Sequence, residues 1–422
     1  MLLKTLLNKI YKFKSFTYTK CSFETVRSKS KLVVSVVPRK NSKPICSVCG
    51  RSGPVYDTMK TPRCFEFIPV WGVAVFFLYA MRRVNCSHCG TPKTEQVPWA
   101  DGKNQLTKPY RAFLAEWAEE LSWKRVAERF NTSWQKVYHA VEWVVEWGLA
   151  RRKLDNVTAI GVDEVAWQKG HNYLTLVYQL ESGFRRLLWV GEKRTKKTLD
   201  TFFCTMNQLD KGFISRLKFI CSDMWKPYLK VIKKRAPEAL NILDRFHIVQ
   251  HFNKSVDNVR REEVRRLKEE KKEPVLVKSR WCFLKKRGNL TEKQRFKLRD
   301  LLKINLKTVR AYLLKEQFQS FWEYKHPAWA RKFLDSWCEA AIRSRIDPMK
   351  KMAAMLRKHR ELILNWFRAK KQYNNGIVEG QNRLVNLTVR KAFGFRSKKI
   401  IEITLFHQLG KLPKPKFSHK LW

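Results

Sequence analysis

Acidic residues are what this chain is short of. It carries 37 Asp and Glu against 87 Lys and Arg in 422 residues, a net charge of +50 spread along its whole length. Such a chain repels itself unless it meets a polyanion, and nucleic acid fits because each phosphate neutralised releases condensed counterions. Ribosomal and chromatin-packing proteins share the charge but are usually shorter and poorer in Trp and Phe. Here 16 Trp, 26 Phe and a hydrophobic fraction of 44% exclude a disordered polycation. Long apolar runs are also missing. The longest, residues 65–81, is broken by Glu66, Pro69 and Gly72, so no membrane partner is expected. The opening MLLKTLLNKIYKFK has interspersed lysines and no small-residue cleavage site, and is not read as a signal peptide. No internal repeat and no glycine-rich phosphate loop occur. A secreted disulfide framework is not expected either. Of the 10 cysteines, four fall in two C-x-x-C pairs, which suits a reducing, cytoplasmic setting and a bound metal.

What is present divides into a multidomain α/β chain, too long for one core. Residues 1–45 read as an N-terminal arm ending in an alternating strand at 31–38. Residues 46–100 read as a zinc ribbon. Cys46 and Cys49 lie 36 residues before Cys86 and Cys89, each pair followed by glycine (Gly50, Gly90), and GVAVFFLYAMRRVNC between them reads as hairpin strand. Four thiolates on two tight turns suit tetrahedral Zn²⁺; His88 and Cys64 are weaker candidates, and four unconnected buried cysteines are the bland alternative. Residues 105–152 change to helical period. Thr107 caps a first helix and Pro109 sits in its first turn, a short helix spans 122–130, and Asn131-Thr132-Ser133 turns into a third. This is the helix-turn-helix pattern, with Gln135, Lys136, Tyr138 and His139 as the exposed, DNA-reading face. A plain three-helix packing unit is the alternative.

Residues 156–250 run strand, strand, strand, helix, strand, helix, strand, the order of a ribonuclease-H-like mixed sheet, which sets the ends of its first and fourth strands side by side. TAIGVDEVAW reads as a buried strand that ends, unexpectedly, in Asp163 and Glu164. KFICSDMW ends in Asp223. Residues 251–370 are an α-helical insertion whose alternating charges read mainly as a solvated face. Residues 371–410 return to the core with a helix carrying Glu379, Asn382, Arg383, Asn386 and Arg390 on one polar face. Residues 411–422 form a basic tail. Three acids on rigid elements, Asp163, Asp223 and Glu379, suit two Mg²⁺ or Mn²⁺ ions for phosphodiester chemistry. Taken singly, each acid also fits a turn or cap, as His247 fits a structural role and Glu164 a supporting one.

GVDEVAWQKGHNYLT, CSDMWKPY with LDRFHIVQHFNK, and NNGIVEGQNRL with RKAFGFRS together resemble the ISL-three family of bacterial insertion-sequence transposases. The resemblance implies a ribonuclease-H-like core with Asp163 and Asp223 as the first two metal ligands and Glu379 as the third. Asp244 and His247 resemble a supporting D-x-x-H signature. It further implies binding of inverted-repeat ends, metal-dependent cleavage and strand transfer, target DNA as a partner, a homo-oligomer in the synaptic complex, and a cytoplasmic, nucleoid-associated location. One departure is visible. The helix after the Glu is often lysine-rich in the family, whereas Asn386 and Thr388 stand here, with Arg383, Arg390 and Lys391 left for the DNA backbone. A non-catalytic DNA-binding regulator and a structure-specific nuclease are the rival readings.

Overall fold

In the computed structural model, residues 3–26, 29–168, 170, 172–373, 376–392 and 394–417 are described. Lys169, His171, Asn374, Asn375, Phe393 and the end of the basic tail lie outside them. The chain divides into two units, residues 1–152 with 391–422, and residues 153–390. Among the described residues no helix is long and apolar enough to cross a membrane.

Alternation organises the first unit. Helix α1 (Leu3–Ile10) leads into β1 (Phe16–Val26) and β2 (Lys29–Pro38). Leu32, Val34 and Val36 of β2 all bury on one face, as a period of two requires. β3 (Val55–Thr58), β4 (Arg63–Val70), β5 (Val73–Tyr79), β6 (Arg82–Asn85) and β7 (Pro92–Thr94) follow. They make two sheets, β1-β2-β5-β4 and β3-β6-β7. Residues 1–45 are therefore no arm. β2 pairs in parallel with β5, some forty residues on, and this non-local pairing left no local signal. The stretch between the cysteine pairs also splits, giving β5 to the larger sheet and β6 to the ribbon. Trp99 plugs the larger sheet, its ring 4.9 Å from Phe16, 5.3 Å from Tyr79 and 5.9 Å from Phe65.

Three helices follow: α2 (Lys108–Glu120), α3 (Trp123–Arg129) and α4 (Trp134–Leu149). Thr107 and Ser122 stand at the first two N-caps, and Asn131 takes the left-handed turn conformation at φ 49°. Ser133 accepts from the Lys136 amide at 3.3 Å to start α4. The C-terminal helix, Lys398–Leu409, packs on α4 and belongs to this unit, not to the core expected to reach residue 410. Its His407 side chain is 3% exposed. Burial, with Lys414 nearby, lowers this imidazole to about 4 from 6.5. The unfolded chain then binds a proton between pH 6.5 and 4 that the folded one does not. Stability is complete above 6.5 and falls towards pH 4, by on the order of 3 kcal/mol. His407→Gln should flatten that slope in urea melts; parallel slopes for the two proteins would refute the assignment.

In the second unit β8 (Ala159–Gln168), β9 (Asn172–Gln179) and β10 (Arg186–Glu192) form a meander. α5 (Lys196–Leu209), α6 (Phe213–Arg216), β11 (Phe219–Ser222), α7 (Lys226–Arg235) and β12 (Leu240–Leu243) follow. The sheet order is β10-β9-β8-β11-β12, with β11 parallel to both β8 and β12. Ile160, Val162, Leu199, Phe202, Phe203, Val231 and Ile232 form one core between the sheet and α5 and α7. The 251–370 segment is helical: α8 (Arg245–Glu269), α9 (Arg280–Leu284), α10 (Glu292–Leu302), α11 (Lys307–Gln319), α12 (Pro327–Arg343), α13 (Asp347–Lys358) and α14 (Arg360–Arg368). Buried Glu263 of α8 accepts from the Lys307 and Thr308 amides, at 2.9 and 2.8 Å, and so caps α11. Buried Asn365 donates to the Asn241 carbonyl at 2.9 Å, tying α14 to β12. α15 (Gly376–Lys391) then returns to the sheet.

Candidate active site

Parallel pairing sets the site. β8 and β11 run in register to Gly161 and Cys221, and β11 and β12 to Ser222 and Leu243. Two residues past the first pair come Asp163 and Asp223; one past the second come Asp223 and Asp244. Three acids thus stand level across three adjacent strands: Asp223 and Asp244 just past the ends of β11 and β12, and Asp163 midway along β8, which does not end at Asp163 and Glu164 as expected but runs on, paired with β9, to Gln168. The period of two then divides β8. Ile160, Val162 and Glu164 face α5 and α7, whereas Gly161 and Asp163 face α15.

Each acid has defined partners. Asp163 Oδ1 accepts from the Glu164 amide at 2.8 Å, and Oδ2 accepts from Asn382 Nδ2 at 2.7 Å. Asn382 Oδ1 in turn accepts from the Tyr178 hydroxyl at 2.8 Å. Asp223 Oδ1 accepts from the Trp225 amide at 3.0 Å, and Oδ2 pairs with Arg194. Arg194 also lies 3.2 Å from Glu164 Oε1, with its guanidinium 4.8 Å above the Trp225 ring. Asp244 caps α8 through the Phe246 amide at 2.8 Å and holds His247 Nδ1 at 2.6 Å.

Burial dominates the electrostatics. It pushes the Asp163 carboxyl up to about 6, with the charges of Asp244 and Asp223 adding and His247 opposing. Glu164 rises to about 7 by burial and by the Asp223 charge, against the pull of Arg194. Its bond to Asp244 raises the His247 imidazole, so the positive form is favoured beside the acids.

Glu379 stands apart. It sits in the first turn of α15, 46% exposed, with Arg383 at 3.0 Å. What meets the rim is Asn382, one turn later. Gly161 lets α15 approach: a Cβ there would lie 2.4 Å from Val378 Cγ2. Gly161→Ala should therefore push the helix outward, break the Asn382–Asp163 bond and cost about 1–3 kcal/mol of stability. Thermal melts check this, and Val378→Ala added to Gly161→Ala should recover the loss. No recovery would mean the contact does not seat the helix.

The remaining candidates are also placed. Cys46, Cys49, Cys86 and Cys89 bring their sulfurs within 4.8 Å of one another. Gly50 and Gly90 close the two knuckles at φ 70° and 66°, a region that other side chains rarely adopt. Among the described residues no other set of three or more ligand atoms is so close. Cys64 and His88 are outside it. On α4, Gln135 and His139 are exposed. Lys136 is instead paired with Glu66 at 2.7 Å, and Tyr138 and His139 lie 3.0 and 3.1 Å from Glu142, itself paired with Lys399. Helical spacing showed which face is polar but not which acids line it. Arg383, Arg390 and Lys391 are exposed along α15. Arg194 and Tyr178 were missed. Nothing marks Arg194 among its neighbouring cations, and Tyr178 reads as one more core aromatic.

Comparison with known proteins fits this geometry to a family. Residues 160–404 match the model of the ISL-three group, described as a transposase. The chain is similar to the transposase for insertion sequence element IS1001 of Bordetella parapertussis, 29% identical over 358 residues, covering 84% of this chain and 86% of that protein. It is also similar to the transposase for insertion sequence element IS1557 of Mycobacterium tuberculosis, 28% identical over 420 residues, covering 91% and 90%. A solved structure titled Drosophila P element transposase strand transfer complex aligns at a TM-score of 0.38 and 9% identity, over 76% of this chain and 94% of that one. At that score it adds nothing to the argument. The family match runs from β8, through all three acids and α15, into the C-terminal helix, more than half of the chain. The protein belongs to the ISL-three family of insertion-sequence transposases.

Proposed function

We propose that Asp163, Asp223 and Glu379 are the metal-binding carboxylates of a ribonuclease-H-like catalytic core that cuts and rejoins DNA. One observation carries this reading: Asp163 and Asp223 stand level on adjacent parallel strands, and the helix that bears Glu379 is bonded to the first of them through Asn382. The donor set fits hard divalent cations. It consists of hard carboxylate oxygens: Asp163 and Asp223 on adjacent strands, where burial of Asp163 favours binding a cation or a proton, and Glu379 on the helix bonded to Asp163. Mg²⁺ or Mn²⁺ held there would supply charge neutralisation for the transferring phosphate and a nucleophile deprotonated near neutral pH. The chain's own groups prepare that site. Asn382 fixes the Oδ2 of Asp163, Trp225 and Arg194 fix Asp223, and His247 is held on Asp244. Arg194 balances Asp223 and Glu164 together.

The first unit supplies the rest. The four thiols suit a structural Zn²⁺. α3 and α4 with the turn between them form a helix-turn-helix whose exposed Gln135 and His139 contact the inverted-repeat ends, with Lys136 and Tyr138 supporting that face. Arg383, Arg390 and Lys391 contact the backbone beside the rim. Two ends need two active sites, so the working form is a homo-oligomer in a synaptic complex with end and target DNA.

The test is a cleavage and strand-transfer assay on duplexes bearing the element's own ends, with Mg²⁺ or Mn²⁺. Joined products are expected, together with a gel-filtration mass above a monomer on paired-end DNA. Protein that binds ends yet never cuts them would overturn the catalytic reading in favour of a regulator.

A further inference from the structure

The helical insertion, residues 245–370, carries 34 Lys and Arg against 14 Asp and Glu, and ion pairs offset only part of that excess. Arg260, Arg261 and Arg280 share Asp257, and Arg360 pairs with Asp335 and Glu361. One group of cations beside the acid rim is not balanced. His251 and Lys254 follow His247 along α8 at i+4 and i+7, hence on one face. Lys358 ends α13, His359 joins it to α14, and the neighbouring charge of Lys226 lowers the Lys358 ammonium. The charges acting on His359 come from Lys358, Lys226 and His251, and those on His251 from His247 and Lys254; all are positive. Lys226, Lys254, Lys358 and His251 are exposed. α7 begins at Lys226, runs ten residues, and has neither an acid in its first turn nor a side-chain cap. The positive pole of its peptide dipoles lies at Lys226, met from within the chain by Asp223, whose Oδ1 accepts from the N-cap Trp225 amide.

Like charges held together repel, by about 1 kcal/mol for a pair 4 Å apart even in water. An anion would relieve that cost. We infer that Lys226, Lys358, His359, His251 and Lys254 form a phosphate-binding track for a DNA strand passing between the acid rim and the helical insertion. The ligand class is a phosphodiester backbone. From His247 to Lys254 the helix rises roughly 10 Å, the axial rise of about three phosphates of one strand at roughly 3.4 Å each along the duplex axis. No glycine-rich cradle is present that would suit a free nucleotide instead. The track deepens the catalytic reading above, because it gives the DNA a path to the rim.

The test uses the full chain and a duplex of unrelated sequence without element ends, in the absence of divalent ions. Affinity is measured against salt for wild type, Lys226→Ala/Lys358→Ala and Lys226→Arg/Lys358→Arg. The alanine pair should lower the slope of log K against log salt by about 2, at roughly 0.9 per phosphate contact, and weaken binding at least tenfold. Its melting temperature should be unchanged or higher, since a repulsion is removed, and the arginine pair should bind like wild type. An unchanged salt slope would overturn the proposal. So would lost binding that tracks a lowered melting temperature. Because the assay involves no chemistry, a lowered slope alongside full joining activity in Asp163→Asn would uphold the track and sink the catalytic reading.

Discussion

Asp163→Asn and Asp223→Asn should each lower strand transfer by about a thousandfold or more while leaving end binding intact. Transition-state charge stabilisation by a bound metal is worth several kcal/mol, and each 1.36 kcal/mol is a factor of ten in rate. Neither change should unfold the protein. Asn keeps the size and hydrogen-bonding capacity of Asp, and at Asp163 it removes a carboxyl that burial already pushes up to about 6. Melting temperature is the control: inactivity accompanied by a fallen melting temperature would count as misfolding and leave the assignment unsupported. Glu379→Gln is the sharper case, because Glu379 is half-exposed and paired with Arg383, while Asp244 already stands level with the first two acids. Asp244→Asn preserves the cap on α8, since Asn caps as well as Asp, and so isolates the charge. A Glu379→Gln protein that still joins DNA, beside an inactive Asp244→Asn protein, would move the third carboxylate to Asp244.

That choice marks where the sequence stopped being legible. A strand that alternates Ile160, Val162 and Glu164 against Gly161 and Asp163 announces its own faces, and an acid inside an apolar strand announces itself, although the strand continues past it to Gln168. The helix caps at Thr107, Ser122 and Ser133 are equally local signals, and the helices begin where those residues stand. Non-local arrangements left no such trace. Arg194 is one of 87 cations until the turn between β10 and α5 brings it between Glu164 and Asp223. Lys136 lies on a polar helix face until β4 presents Glu66 to it. Residues 16–38 read as an arm until β5 pairs with β2. In each case the deciding partner lies tens of residues away, beyond the reach of a period of two or of 3.6.

Removing the Zn²⁺ proposed for the four thiols should have the other large effect, and the reason is the smallness of the core around them. Its sheet has strands of four, four and three residues, and its apolar cluster is Val84 with the four cysteines packed about it. Burying one valine contributes only about 1.5–3 kcal/mol, too little to order some thirty residues. Binding of a structural Zn²⁺, on the order of 10–16 kcal/mol in small zinc domains, is ample. Chelation, or Cys49→Ser or Cys86→Ser, should thus release one zinc per chain and unfold residues 44–58 and 82–96. The larger sheet should survive, because Trp99, Phe16, Phe65 and Tyr79 hold it independently of the thiols. The two parts meet at buried Glu95, which accepts from the Arg82 amide at 2.8 Å, from Arg82 Nε at 3.0 Å and from Tyr79. Arg82 and Glu95 both lie in the segment that unfolds, so the ion pair leaves together and the buried Tyr79 hydroxyl of β5 loses its acceptor. Unfolding should therefore reach the edge of the larger sheet and stop there. Hydrogen exchange reads this directly, as lost protection in β3, β6 and β7 with protection kept in β1, β2 and the middle of β5. Protein that is purified without zinc, and whose exchange is unaltered by Cys86→Ser, would show that the four thiols hold the ribbon by packing alone.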